Sequence, residues 1–250
     1  MSGHSKWATI KRKKAAVDAK RGKIFTRLLK EIQIAAKMGG GSADANPRLK
    51  AAIQSAKSQS VPADNIERAI KRGTGDLEGV DYEEVLYEGY GPGGVAIMVK
   101  TLTDNRNRTV AEIRHAFTRH NGSLAGANAV AYIFKDTGVL SVAKDDASEE
   151  QLFEAALEAG AEDIRDEGGF WEVLTKPKAF ETVRQALLKI SANIEGEIRP
   201  IPDTRVRVSG HDAESLIKLL DALDDLDDVQ NVAANFDIDD KELQALGESV

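Results

Sequence analysis

The sequence predicts an α+β fold in three parts: an N-terminal helical domain followed by two α/β domains, the middle one ferredoxin-like and inserted into the other. Three observations predict it. Apolar residues recur at helical spacing between residues 23 and 73, the period switches to strand-like alternation near residue 85, and the order β-α-β-β-α-β follows from residue 136. The expected partition is a flexible basic segment over 1–22, the helical domain over 23–76, a split α/β domain over 77–135 and 203–250, and the insertion over 136–202.

In the opening segment Lys6, Lys11, Arg12, Lys13, Lys14, Lys20 and Arg21 face only one acid, Asp18, and the large apolar residues are few: Trp7, Ile10 and Val17. Too little surface can be buried there to offset the entropy of ordering, so the segment is expected to stay mobile or partly helical until bound. From Lys23, residues Ile24, Phe25, Leu28, Leu29, Ile32, Ala35 and Ala36 share a helical face, which ends at Gly39-Gly40-Gly41. A second helix is expected from Asn46 as N-cap and Pro47 at the first helical position, and a third after Pro62, ending at Gly73.

Val85 to Tyr90 and Val95 to Lys100 read as a hairpin joined by Gly91-Pro92-Gly93-Gly94. A helix capped by Thr103 or Asp104 carries Val110, Ile113 and Phe117, and a strand is expected near Val130, Tyr132 and Phe134. The insertion then supplies a strand over Val139–Val142, a helix with Leu152 and Ala156, and strands near Ile164 and Trp171–Leu174. A helix opened by Pro177 and a strand over Ile194–Ile201 complete it. Strand Arg205–Val208, a leucine-rich helix over 216–223 and a strand near Val229–Ile238 are expected to complete the first sheet.

Composition narrows function. The chain has 250 residues, 42% hydrophobic and 30% charged, with no cysteine, which removes disulfides, thiol nucleophiles and thiolate metal sites. No apolar run approaches the roughly 20 residues that span a bilayer, and no secretory h-region follows the basic start, so a cytoplasmic chain without a membrane partner is expected. The net charge of −7 conceals an asymmetry: residues 1–75 carry 17 Lys/Arg against 5 Asp/Glu, whereas the remainder carries 17 against 36. A basic module that meets a polyanion follows from that division.

Chemical motifs fail one by one. Gly89, Gly91 and Gly94 have dinucleotide-fingerprint spacing, but a strand follows them where the fingerprint requires a helix. Asp221, Asp224, Asp225, Asp227 and Asp228 lack calcium-loop spacing and read as a solvated helix end. His4, His115, His120 and His211 are scattered, and no nucleophile elbow, Walker loop or zinc-protease motif occurs. No enzyme activity and no cofactor are expected.

Basic residues remain. The candidate nucleic-acid contacts are Lys6, Lys11, Arg12, Lys13, Lys14, Lys20, Arg21, Lys23, Arg27 and Lys30, with Trp7 as a stacking face. Arg106 and Arg108 join them in the first turn of a helix whose free N–H groups also favour phosphate, with Arg114 nearby. The competing reading is a solubilising tail and ordinary surface charge.

Five dispersed motifs carry a family resemblance: Gly3-His4-Ser5-Lys6-Trp7, Lys20 to Phe25, Asn46-Pro47-Arg48-Leu49, Tyr87 to Gly94 and Asp104 to Glu112. The chain resembles the YebC/PmpR family of probable transcriptional regulators and is similar to the mitochondrial translational activator of cytochrome c oxidase. It departs from the family pattern at Ser42-Ala43, Thr9 and Arg12, none of which removes positive charge. The resemblance implies three domains with the middle one inserted. It also implies either a DNA-binding transcriptional regulator or a ribosome-associated, ribosomal-RNA-binding factor that relieves stalling at consecutive prolines.

Overall fold

The structure is a computed structural model that describes residues 18–192 and 194–249. Helix α1 spans Asp18–Gly39, starting five residues before the expected point. Asn46 caps α2 (Pro47–Ser58) by accepting from the Leu49 N–H, while its side-chain amide donates to the carbonyls of Ala35 and Gly40, tying the helix to the end of α1. Helix α3 (Ala63–Thr74) ends on Gly75 at φ 86°, a left-handed C-cap that glycine adopts without strain. Ile32, Leu49, Ala56 and Ile66 form the core of this unit. At Gly73, α3 comes so close to α1 that a Cβ would collide with the Gln33 carbonyl oxygen.

Strands β1 (Glu83–Tyr90) and β2 (Ala96–Thr103) form the predicted hairpin, with Gly93 at φ 70° in its turn. Helix α4 (Arg106–Arg119) and the short strand β3 (Ser123–Leu124) follow. The chain then enters a second sheet through β4 (Phe134–Ala143), α5 (Glu149–Glu158), β5 (Ala161–Asp166), β6 (Phe170–Thr175), α6 (Phe180–Leu187) and β7 (Glu195–Pro202). Its strand order is β5-β6-β4-β7 with every neighbour antiparallel, the ferredoxin-like arrangement. Leu140, Leu152, Val173 and Leu187 fill the space beneath its helices.

The return path runs through β8 (Val206–Arg207), α7 (Gly210–Asp224), β9 (Val229–Ala234), β10 (Phe236–Asp237) and α8 (Asp240–Ser249). Strand β9 joins β2, so the first sheet reads β3-β1-β2-β9 and the four-stranded unit is an insertion within it. Helix α7 packs Leu216, Ile217 and Leu220 into the same core as Ile97, Ile113 and Phe117.

Four expectations need correction. Residues 130–133 are not a strand, because the buried Glu88 carboxylate accepts the N–H groups of Asn128, Val130 and Ala131 at 2.7, 2.7 and 2.8 Å and leaves them unable to form a ladder; a 3₁₀ turn spans Ala131–Ile133 instead. Asn105, not Thr103 or Asp104, caps α4, accepting the Arg108 N–H at 3.1 Å; Thr103 faces the interior and Asp104 pairs with Arg108. Strand β8 does not join the first sheet. Asn235 breaks the last strand in two, its side chain accepting from the Ala96 N–H at 2.7 Å, and the freed β10 pairs in parallel with β8 as a separate ribbon. Finally, α8 was not expected at all; Leu243 anchors it in the main core.

Candidate nucleic-acid interface

The buried face of α1 faces α2 and α3, so another stripe of the same helix is left to meet the rest of the chain. Lys23, Arg27 and Lys30 lie at i, i+4 and i+7 on that stripe. They converge on the turn that follows α7. Lys23 donates to the Asp225 carbonyl at 2.8 Å, Arg27 contacts the Asp224 carboxylate at 3.1 Å and its main-chain carbonyl, and Lys30 donates to the Asp227 carbonyl at 3.1 Å. A helix C-terminus presents unsatisfied carbonyls and a partial negative charge, so α7 and this cationic stripe complement each other without any bound ligand.

Asp228 is the centre of the contact. Its Oδ1 accepts from Lys30 at 3.0 Å, and its Oδ2 lies 2.6 Å from Arg108 Nη2, 2.8 Å from Thr109 Oγ1 and 3.2 Å from Thr103 Oγ1. The residue is only 2% exposed. Burial pushes its carboxyl up, but the hydrogen bonds from Arg108, Lys30 and Thr109 prevail and hold it at about 2. The Lys30 ammonium also sits 5.1 Å from the Tyr82 ring centroid. One carboxylate therefore ties α1, β2, α4 and β9 together.

Around this knot opens a cleft of about 860 Å³ with walls of mixed sign: Lys23, Arg27 and Arg108 face Asp104, Glu112 and Asp225. The structure thus brings Lys23, Arg27, Lys30 and Arg108 to one place, each against a carboxylate. Arg106 points elsewhere and pairs with Glu83 at 3.2 Å. Lys20 and Arg21 stand in the first turn of α1, their side chains outside the described residues, as are Lys6, Trp7, Lys11, Arg12, Lys13 and Lys14. The acidic run is not simply a solvated helix end: Asp225 and Asp227 are exposed, but Asp228 is interior and Asp224 meets Arg27. Sequence reasoning missed Asp228, Tyr82, Thr103 and Thr109. A usable signal was the position of Asp228 directly before a buried strand, which draws a carboxylate inward.

Two family descriptions match almost end to end: the TACO1/YebC protein N-terminal domain over residues 5–76, and the TACO1/YebC second and third domain over residues 82–236. The chain belongs to the TACO1/YebC family. A probable transcriptional regulatory protein of Geobacter sulfurreducens is 57% identical to this family member, over 98% of this chain and 100% of the relative. One of Koribacter versatilis is 54% identical, over 98% of each. Among solved structures, a conserved hypothetical protein of Aquifex aeolicus superposes with a TM-score of 0.82 at 46% identity, covering 90% of this chain and 94% of that one. This family member therefore belongs with proteins named as regulators, and among its described residues no helix is long and apolar enough to cross a membrane.

Proposed function

We propose that this TACO1/YebC family member is a cytoplasmic, non-enzymatic, DNA-binding transcriptional regulator. The observation that carries the reading is the charge division: a net +12 over residues 1–75 against −19 over the rest. Lys6, Lys11, Arg12, Lys13, Lys14, Lys20 and Arg21 supply phosphate contacts, with Trp7 as a stacking face and Lys23, Arg27 and Arg106 extending the positive charge. Lys30 and Arg108 act mainly as frame, since both are committed to Asp228. The names of the relatives support a role in regulation, and the acidic remainder limits indiscriminate adhesion to the same polymer.

Two measurements test this. On duplex DNA, log affinity falls with log salt by about 0.9 per phosphate contact, so five contacts give a slope near −4.5; a flat response overturns the reading. Crosslinking in growing cells, followed by sequencing of all bound DNA and RNA, is expected to return discrete promoter peaks. Recovery of ribosomal RNA with no DNA enrichment replaces the transcriptional reading with a ribosome-associated one.

A further inference from the structure

The cations of the helical unit divide into two groups. Among the described residues, Lys23, Arg27, Lys30, Lys37, Arg48 and Lys71 each have a carboxylate within 4.0 Å, whereas Lys50, Lys57, Arg68 and Arg72 have none. Of those four, Arg68 and Arg72 line one groove together. It lies between α1 and α3, has a volume of about 210 Å³, and is lined by no acid among the described residues.

The groove is built rather than incidental. Arg68 and Arg72 are four residues apart on α3, which places them on one face at roughly 6 Å along the axis. The Arg68 guanidinium is held by its own helix, donating to the Asp64 carbonyl at 3.2 Å and to Asn65 Oδ1 at 3.0 Å, and its charge is left uncompensated. The Arg72 stem packs against Gly79, where even a Cβ would come within 3.0 Å of it, so the linker after α3 steers the guanidinium. Gln33 fixes the same linker to α1 through the Val80 carbonyl. Leu29, Ala69 and the half-buried Tyr82 supply an apolar and aromatic floor. Thr26, Lys30 and Tyr82 line both this groove and the larger cleft, so the two are continuous.

We infer that this groove is a binding site for the sugar-phosphate backbone of a single DNA strand, with Arg68 and Arg72 as its phosphate contacts. The inference rests on the nucleic-acid reading above and deepens it. Paired guanidiniums match phosphate geometry and are weakly hydrated, so they give up water for phosphate at low cost. Neither needs to break an ion pair first, unlike Lys23 or Arg27. At about 210 Å³ the groove is small on the scale of a duplex, so the occupant assigned to it is the backbone of one strand. Among the described residues of the sequence-derived site, Lys23, Arg27, Lys30, Arg106 and Arg108 are each paired with a carboxylate; Arg68 and Arg72, which that site omitted, are not.

The test is fluorescence anisotropy on the full chain with labelled oligothymidylate, the corresponding duplex, and polyglutamate as a non-nucleic polyanion. The Arg68→Gln/Arg72→Gln variant keeps both stems and loses both charges, and Lys50→Gln/Lys57→Gln is a control with the same change in net charge outside the groove. Two lost contacts at about 0.7 each reduce the single-strand salt slope by about 1.4, which makes binding roughly 25-fold weaker at ~0.1 M salt and converges with wild type near ~1 M. The control is expected to change affinity less than ~3-fold, and thermal melting of both variants to match wild type because all four side chains are exposed. If the arginine variant binds oligothymidylate no worse than the control, the groove assignment is overturned while the nucleic-acid reading stands. An equal loss for polyglutamate also overturns it, in favour of an acidic protein partner. Wild type that binds no nucleic acid overturns both.

Discussion

Replacing Asp228 by Asn removes the one negative charge on which Lys30, Arg108, Thr103 and Thr109 converge. The magnitude can be worked in two ways. An ordinary aspartate near 3.8 held at about 2 is stabilised by the fold to the extent of roughly 2 kcal/mol at neutral pH. Removing one partner of a buried pair costs about 3–5 kcal/mol, because the remaining charge is left uncompensated, and Lys30 is 8% exposed. The loss expected in Asp228→Asn at pH 7 therefore lies between about 2 and 5 kcal/mol, or roughly 5–15 °C in Tm for a chain of this size. The sign with pH follows from a depressed carboxyl. Its contribution is complete above the ordinary value near 3.8 and disappears as pH falls through about 2. Urea unfolding of wild type and variant by circular dichroism, repeated from neutral to strongly acidic pH, should show a gap that is constant to about pH 5 and then closes. The double variant Lys30→Met/Asp228→Asn should recover part of the loss, since no buried cation is then left alone. A gap independent of pH, or below ~0.5 kcal/mol at pH 7, would refute the reasoning.

Three further outcomes are expected. Glu88→Gln keeps one accepting oxygen but turns an amide N–H₂ toward the main-chain donor or donors of the other, Asn128 on one side or Val130 and Ala131 on the other, so it should cost about 1–3 kcal/mol and speed hydrogen exchange across Asn128–Ala131. Asn46→Ala removes the cap of α2 and two bonds to the end of α1, with about 1–2 kcal/mol lost in chemical denaturation. Helix propensity alone would make Gly73→Ala stabilising by about 1 kcal/mol, but the new Cβ meets the Gln33 carbonyl and lies 2.7 Å from the Ala36 Cβ, so a net loss of about 1–3 kcal/mol should appear in thermal melts.

Legibility in the sequence follows the range of the forces involved. Caps and turns are local: Asn46-Pro47 and the glycine-rich hairpin between β1 and β2 were readable because the residues that specify them are neighbours. The ferredoxin-like insertion was readable because its periodicities alternate in a recognised order, and Val139 to Val142 and Trp171 to Leu174 fell within real strands. What failed was decided by distant partners. Glu88 acts on an N–H 42 residues away, and Asn235 substitutes for a ladder bond to Ala96 at a separation of 139 residues. The pairing of Lys30 with Asp228 spans 198 residues, so a cation chosen as a ligand contact turns out to be interior. Charge composition indicated that positive residues concentrate at the start of the chain; it could not indicate which of them the fold had already neutralised.

The interrupted first sheet has a consequence for synthesis on the ribosome. Strand β2 is complete by residue 103, yet the neighbour on its open side, β9, begins at residue 229. Between them the chain emits the whole inserted unit, whose strands pair only with one another. The guest can therefore close its own sheet while its host still exposes the unpaired amides of an apolar strand, Ala96-Ile97-Met98-Val99. The host sheet can be finished only when residues 229–234, in the last tenth of the sequence, arrive to cover that edge.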